Sequence, residues 1–286
     1  MSYEEFPVFI PYGEDHLFGI VCAPAGASES DMGVVLLTGG NYTRSHRNRM
    51  WVKAARALAD AGVPSIRVDY HGIGDSTGRA RFEMEEPFDD DALAAADFLV
   101  AATGVSELTF LATCFGGRTA MAAGARHPRA RTVTIFPVPL LIPRDRSHVP
   151  FRTKVKLRLR KWEWGKQFVS RPGVRRARKA AAARRTVPAT VVSPRFKRDM
   201  ASFLQRGEVR FIYGERSPAL IDLRRLLAEI EPRLSGEQRD RIAVTVLPDC
   251  EPENFRTLED QDLVVTQTVA SVTGAPPAGD QVPARV

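Results

Sequence analysis

Residues 108–117 read Leu-Thr-Phe-Leu-Ala-Thr-Cys-Phe-Gly-Gly and place a thiol between two contrasting segments. The apolar run before Cys114 suits a buried strand, and the Ala-rich stretch Arg118 to Arg126 suits a helix. A strained strand-to-helix turn of this kind lifts one side chain out over a sheet. It needs small neighbours, because a larger Cβ substituent would collide with adjacent backbone, and Ala112 and Gly116 supply them. A thiolate is the reactive form of cysteine, and a helix N-terminus can lower its pKa. Even an ordinary Cys is a few per cent ionised near neutral pH, so it needs less help from a general base than Ser does. Its attack on an acyl thioester exchanges one thioester for another of nearly equal energy. The plainer alternative is a buried Cys acting as a small hydrophobe.

Cys22, Cys114 and Cys250 are too few and too scattered for a disulfide framework or a zinc site, and no metal or cofactor is expected. For proton transfer the candidates are His46 and His71, each on an expected loop at the carboxyl edge of a strand, where ligands bind in open α/β sheets. A loop histidine is more often a surface or turn residue, and that is the plainer reading of each.

These residues must be positioned by a larger frame. Phe6 to Ile10 and Leu17 to Cys22 read as two short strands around Tyr12-Gly13-Glu14-Asp15, an antiparallel leader. Met32 to Thr38 is a continuous apolar run, the pattern of a strand covered on both faces, ending in Gly39-Gly40-Asn41-Tyr42. A helix from about Asn48 to Ala61, closed by Gly62, precedes a second buried strand, Ser65 to Tyr70. The Gly-rich loop His71 to Gly78 then reads as a tight turn that lets backbone segments cross. A helix over roughly Asp89 to Thr103 leads to the Cys114 strand, and Thr132 to Pro137 is a strand after it. Val209 to Gly214, Leu220 to Leu234, Ile242 to Leu247 and Thr257 to Val272 continue as strand, helix, strand, helix. This alternation predicts an α/β fold with a mostly parallel, doubly wound sheet. The organisation expected is a core of residues 1–137 and 208–273, an insertion over 138–207 and a disordered Pro- and Gly-containing tail over 274–286.

At 286 residues the chain is long enough for one such domain with an insertion. No stretch is apolar for the length needed to cross a bilayer, and no basic start precedes an apolar core, so a cytoplasmic protein is expected. The net charge of +7 is uneven. From Arg144 to Arg198 there are 19 Lys/Arg against only Asp145 and Glu163, a net +17, which leaves the rest of the chain at −10.

Three stretches together carry a resemblance. They are Gly39-Gly40-Asn41-Tyr42-Thr43-Arg44-Ser45-His46-Arg47, Arg67-Val68-Asp69-Tyr70-His71-Gly72-Ile73-Gly74-Asp75-Ser76, and the turn around Cys114. In this order they resemble the α/β-hydrolase superfamily over about residues 15–273, and more narrowly the exosortase A-associated hydrolases. A second similarity is to α/β-hydrolase-like aminoacyltransferases of nonribosomal peptide pathways, which also place Cys at this turn. The resemblance implies that Cys114 is the nucleophile. It also implies an oxyanion hole of the Phe115 backbone N–H and one from the loop Gly40 to Tyr42, with Gly40 and Asn41 as its residues. It implies a cap for the basic insertion. The departures are as informative. Where the superfamily pattern places an acid, this chain reads Gly214-Glu215-Arg216-Ser217, and Glu253 stands in the slot of the usual His. Glu253 is therefore either a proton acceptor or a solvated carboxylate.

A cap bearing Trp162 and Trp164 among so many basic residues would draw an acidic acyl-carrier protein, the phosphates of a coenzyme A thioester or an anionic membrane surface. It could also be a solvated basic surface with no specific ligand. No nucleic-acid-binding motif is present, and no nucleic acid is expected. Two functions remain: an acyltransferase or thioesterase working through a covalent Cys114 acyl-enzyme, or a catalytically degenerate α/β-hydrolase fold kept for binding or scaffolding.

Overall fold

The computed structural model describes residues 3–26, 30–40, 42–80, 82–143, 190–248, 250, 257–274 and 280–282. Asn41, Glu253 and most of the basic insertion, including Trp162 and Trp164, lie outside them. The chain divides into two compact units, residues 1–140 with 192–286, and residues 141–191.

The first unit is organised on a nine-stranded sheet. Its leader is the hairpin β1 (Tyr3–Tyr12) and β2 (Asp15–Pro24), and β2 pairs antiparallel with β4 (Ser65–Val68). Then follow β3 (Met32–Leu37), β5 (Glu107–Ala112), β6 (Ala130–Ile135), β9 (Glu208–Gly214) and β10 (Ile242–Leu247), all parallel from β4 onward. These central strands bury nearly every residue, which is why they are continuous apolar runs in the sequence rather than alternating ones. The leader strand β1, with one neighbour and largely exposed residues, carries instead the mixed pattern of an edge.

Helices flank this sheet. The helix α1 (Met50–Asp60) packs on α7 (Leu258–Thr273), while α2 (Asp89–Thr103), α3 (Gly116–Arg126) and α4 (Pro194–Phe203) pack together. The caps agree with the residue types. Gly104 and Gly274 close α2 and α7 at φ +76° and +73°, where a Cβ would be strained, and the Thr257 hydroxyl accepts from Asp260 N–H at the start of α7. Between α4 and β10 lie α5 (Leu220–Ile230) and α6 (Gly236–Asp240).

Two expectations from the sequence change. The stretch 192–207, assigned to the insertion, includes α4, whose Phe196, Met200 and Phe203 are buried in the first unit. In the stretch read as a disordered tail, Asp280–Val282 forms β11 and pairs antiparallel with β10, extending the sheet. Leu141–Pro143 (β7) and Thr190–Val192 (β8) form a separate two-stranded sheet. No helix among the described residues is long and apolar enough to cross a membrane.

Candidate active site

At the end of β5 the chain turns sharply. Cys114 has φ +55°, a left-handed conformation that costs a non-Gly residue about 1–2 kcal/mol. The turn is fixed from several sides. Cys114 N–H donates to the Pro137 carbonyl at 2.8 Å, and Gly117 N–H returns to the Cys114 carbonyl at 3.1 Å. A Cβ on Gly116 would fall 2.8 Å from the Leu37 carbonyl oxygen and closer still to that of Thr38, so only Gly lets α3 start against the end of β3. The Cys114 side chain is exposed, and α3 begins two residues on, as the small-x-Cys-x-Gly pattern requires.

The second wall is the loop after β3. The Thr38 hydroxyl donates to the Tyr42 carbonyl at 3.0 Å, Tyr42 N–H donates to Gly39, and the buried Tyr70 hydroxyl donates to the Thr38 carbonyl at 2.9 Å. Trp51 Nε1 donates to the Leu37 carbonyl at 3.1 Å, tying α1 to the same strand end. A Cβ on Gly39 would lie 3.2 Å from the Tyr42 ring and 3.3 Å from Cys114 Sγ. Tyr42 and Cys114 therefore flank one small space, which adds the Tyr42 ring to a candidate site for which the sequence offers Tyr42 only as the end of the Gly40 loop. Its hydroxyl accepts from Arg47, whose guanidinium stands 5.5 Å from the ring centre.

The structure brings Cys114, Phe115, Gly40 and Tyr42 together, with Arg47 and His46 behind Tyr42. His46 packs against the rings of Tyr42 (4.9 Å between centroids) and Trp51 (5.5 Å). Burial first, then the Arg47 charge, lowers its pKa to about 4, so its imidazole is neutral at pH 7. His71 stands elsewhere. Its Nε2 is 3.2 Å from Asp15 Oδ2, its ring meets Tyr12 edge-on, and its backbone N–H donates to Asp91 at 2.6 Å. Among the described residues no histidine hydrogen-bonds to Cys114 Sγ, and no bond or ring contact joins His71 to Tyr42 or His46.

The start of α3 does act to lower the Cys114 pKa, through the Phe115 N–H, but it does not set the net shift. Burial raises it above the ordinary 9.0, outweighing the Phe115 N–H and the Arg47 charge, which both lower it. Although the thiol has access to solvent, it is set deeply enough among protein atoms for desolvation to dominate.

Other quoted residues prove to be scaffolding. Asp69, fully buried, accepts from Arg44 N–H and Asp75 N–H and pairs with the Arg44 guanidinium, joining the loop after β3 to the Gly-rich loop. Gly74, at φ +61°, makes room for that carboxylate. In the slot of the missing acid, the Ser217 hydroxyl accepts from Ala219 N–H at the entry to α5. Cys250 is buried in the core beside Trp51 and Leu247.

A cavity of about 470 Å³ lies at the other, amino-terminal end of the parallel strands, among Glu107, Arg131, Arg210 and Arg241. Its guanidinium groups are engaged: Arg131 by Glu107, Arg210 by Glu208 and the Ser271 carbonyl, and Arg241 by Glu237 and the Leu204 carbonyl. Among the described residues no cluster of His, Cys, Asp and Glu could hold a metal ion.

Solved structures share this architecture. The ferulic-acid-bound Est1E of Butyrivibrio proteoclasticus matches with a TM-score of 0.61 and 12% identity over 94% of this chain and 98% of its own. An alpha-beta serine hydrolase homologue from Coxiella burnetii matches at 0.60 and 11%, over 93% and 97%. The proline iminopeptidase of Mycobacterium smegmatis matches at 0.53 and 17%, over 95% and 100%. At such identities the likeness is one of fold. No curated protein matches the sequence. The family model of the alpha/beta hydrolase fold matches residues 33–183, more than half of the chain, and the protein belongs to that family.

Proposed function

We propose that the protein transfers acyl groups from thioester donors through a covalent thioester on Cys114. The observation that carries this reading is the thiol itself, held at φ +55° at the start of α3 with its side chain exposed. Attack of Cys114 Sγ on the donor carbonyl makes a new C–S bond. Collapse of the tetrahedral intermediate breaks the donor C–S bond, and the Cys114 proton leaves on the released thiol. An acceptor nucleophile then takes the acyl group and returns a proton to Cys114. In this reading the Phe115 N–H and an amide of the Gly40 loop would hold the oxyanion, and losing one such donor typically lowers the rate about 10²- to 10³-fold.

The directions of two pKa shifts bear on where the thiol proton goes. Burial pushes the Cys114 thiol up and the His46 imidazole down to about 4, so both shifts oppose moving the thiol proton onto His46. Thioester exchange still uses the Cys114 thiolate, but the released thiolate takes up the proton that Cys114 loses, so no residue has to keep it, which favours thioester donors over esters or amides. We therefore assign His46 to the packing of Tyr42 rather than to proton abstraction, and His71 to the Asp15 cluster. Releasing the acyl group to water would need an activated water, whereas thiol exchange does not, and we favour transfer over hydrolysis. The net +17 over residues 144–198 supports an anionic donor, an acidic carrier protein or coenzyme A.

The Ser217 cap in the acid's place favours a second reading, a binding protein on a degenerate fold. Intact mass after incubation with acyl-pantetheine thioesters separates the two. Acyl transfer gives an adduct that Cys114→Ala abolishes, whereas a binding protein gives no adduct.

A further inference from the structure

The ring of Phe82 lies on the backbone of Gly40: a Cβ added there would overlap two of its carbons, with Cζ at 3.3 Å. The same ring packs on Phe115, with centroids 4.4 Å apart. Phe82 thus bridges the two residues whose backbone N–H groups stand to receive the oxyanion. It is held there. Phe115 is only 2% exposed and rests edge-on against Phe88, which stacks on Tyr70 at 4.5 Å. Directly after Phe82, the turn from Glu83 to Glu86 closes on itself (Glu86 N–H to the Glu83 carbonyl, 3.1 Å). Its Glu85 carboxylate is anchored by the buried Arg118 at 2.8 Å and by Ser193 at 2.6 Å. A ring in tilted contact with a buried phenylalanine, followed at once by a turn that an ion pair anchors through Glu85, is a wall rather than a loosely placed side chain.

Resting on the acyl-transfer reading, we infer that Phe82 is the specificity-determining wall of the acyl site and restricts Cys114 to slender acyl groups. A carbonyl whose oxygen points at the Phe115 and Gly40 amides must lead its acyl chain past this ring. Straight, narrow chains can lie along it, and branched or aromatic groups close to the carbonyl meet it. Removing the ring opens that path. Enlarging it narrows the path further.

The test uses the full chain, with a steric arm that needs no enzymatic activity. Cys114 is alkylated with iodoacetamide and with N-benzyliodoacetamide in wild type, Phe82→Ala, Phe82→Leu and Phe82→Trp. Cys22 and Cys250 are buried, so peptide mapping can confirm that the rate is that of Cys114. Phe82→Ala should raise the benzyl-to-small rate ratio about 10-fold or more, Phe82→Leu should raise it less, and Phe82→Trp should lower it, on the scale of hydrophobic pocket discrimination. Ratios within twofold of wild type in the Ala and Trp variants would overturn the inference. The Leu variant carries the decision if the Ala variant does not fold. A second arm measures loading from acetyl- and benzoyl-pantetheine. A shifted alkylation ratio with no loading from either thioester would leave the wall standing and remove the acyl-transfer reading. Loading with an unshifted ratio would do the reverse.

Discussion

Gly116→Ala tests whether the geometry of the turn, rather than the mere presence of a thiol, defines this site. The new Cβ would sit 2.8 Å from the Leu37 carbonyl oxygen and nearer to that of Thr38. Neither oxygen can simply move aside. Leu37 O accepts from Trp51 Nε1 at 3.1 Å and Thr38 O from the Tyr70 hydroxyl at 2.9 Å, both in the core. Overpacking of this kind costs about 1–3 kcal/mol. Loosening two buried hydrogen bonds adds roughly 0.5–1.5 kcal/mol each. Replacing Gly at a helix start returns less than about 1 kcal/mol. The net is a loss of about 3 kcal/mol, and at roughly 2–4 °C per kcal/mol Tm should fall by about 6–12 °C. Thermal unfolding followed by circular dichroism measures it, with Gly236→Ala as control, since a Cβ there meets nothing within 4 Å. A Gly116→Ala protein melting within about 2 °C of wild type, like the control, would refute the packing argument.

Cys114 and His46 give predictions in pH. Because burial holds the Cys114 thiol above 9.0, its rate of alkylation by iodoacetamide should still be rising at pH 9, and Arg47→Ala should slow it at fixed pH by removing a charge that lowers the pKa. A plateau below pH 8 would contradict the dominance of burial. The folded pKa of His46, about 4, lies below its ordinary 6.5, so below pH 6.5 the unfolded chain takes up a proton that the folded protein refuses. Stability is therefore lost as pH falls from 6.5 through about 4, by up to about 3 kcal/mol. His46→Gln should lose correspondingly less between pH 7 and pH 4.5 in urea unfolding, and equal losses in both proteins would sink the claim.

How much of this was legible in the sequence depended on whether a signal was local. The Cys114 turn was readable because its requirements fall within five residues: a strand end, two small neighbours and a helix start. The central strands were readable because burial on both faces makes them continuously apolar. The helix α4 was hidden because Arg195, Lys197 and Arg198 merged it with the basic run. Its own signals were present, with Ser193 capping Phe196 N–H, Pro194 at the first turn, and Phe196, Met200 and Phe203 on the buried side. Tyr42 lay within a quoted stretch, but its nearness to Cys114 arises only where β3 and β5 end side by side. For Phe82, 32 residues before the thiol, no local pattern exists, and only packing places it on Gly40. The net ionisation of Cys114 is not legible for the same reason. A helix N-terminus can be seen in sequence, and the atoms that desolvate a thiol cannot.

The central claim is that Cys114 accepts an acyl group. Its most direct test is the intact mass of wild type and Cys114→Ala after brief incubation with a panel of acyl-pantetheine thioesters spanning acetyl to octanoyl. The account predicts one acyl mass added to wild type, mapped to Cys114, slow to disappear in water and absent from the variant. An unmodified wild-type protein across the panel, with no Cys114-dependent release of free thiol, would contradict it.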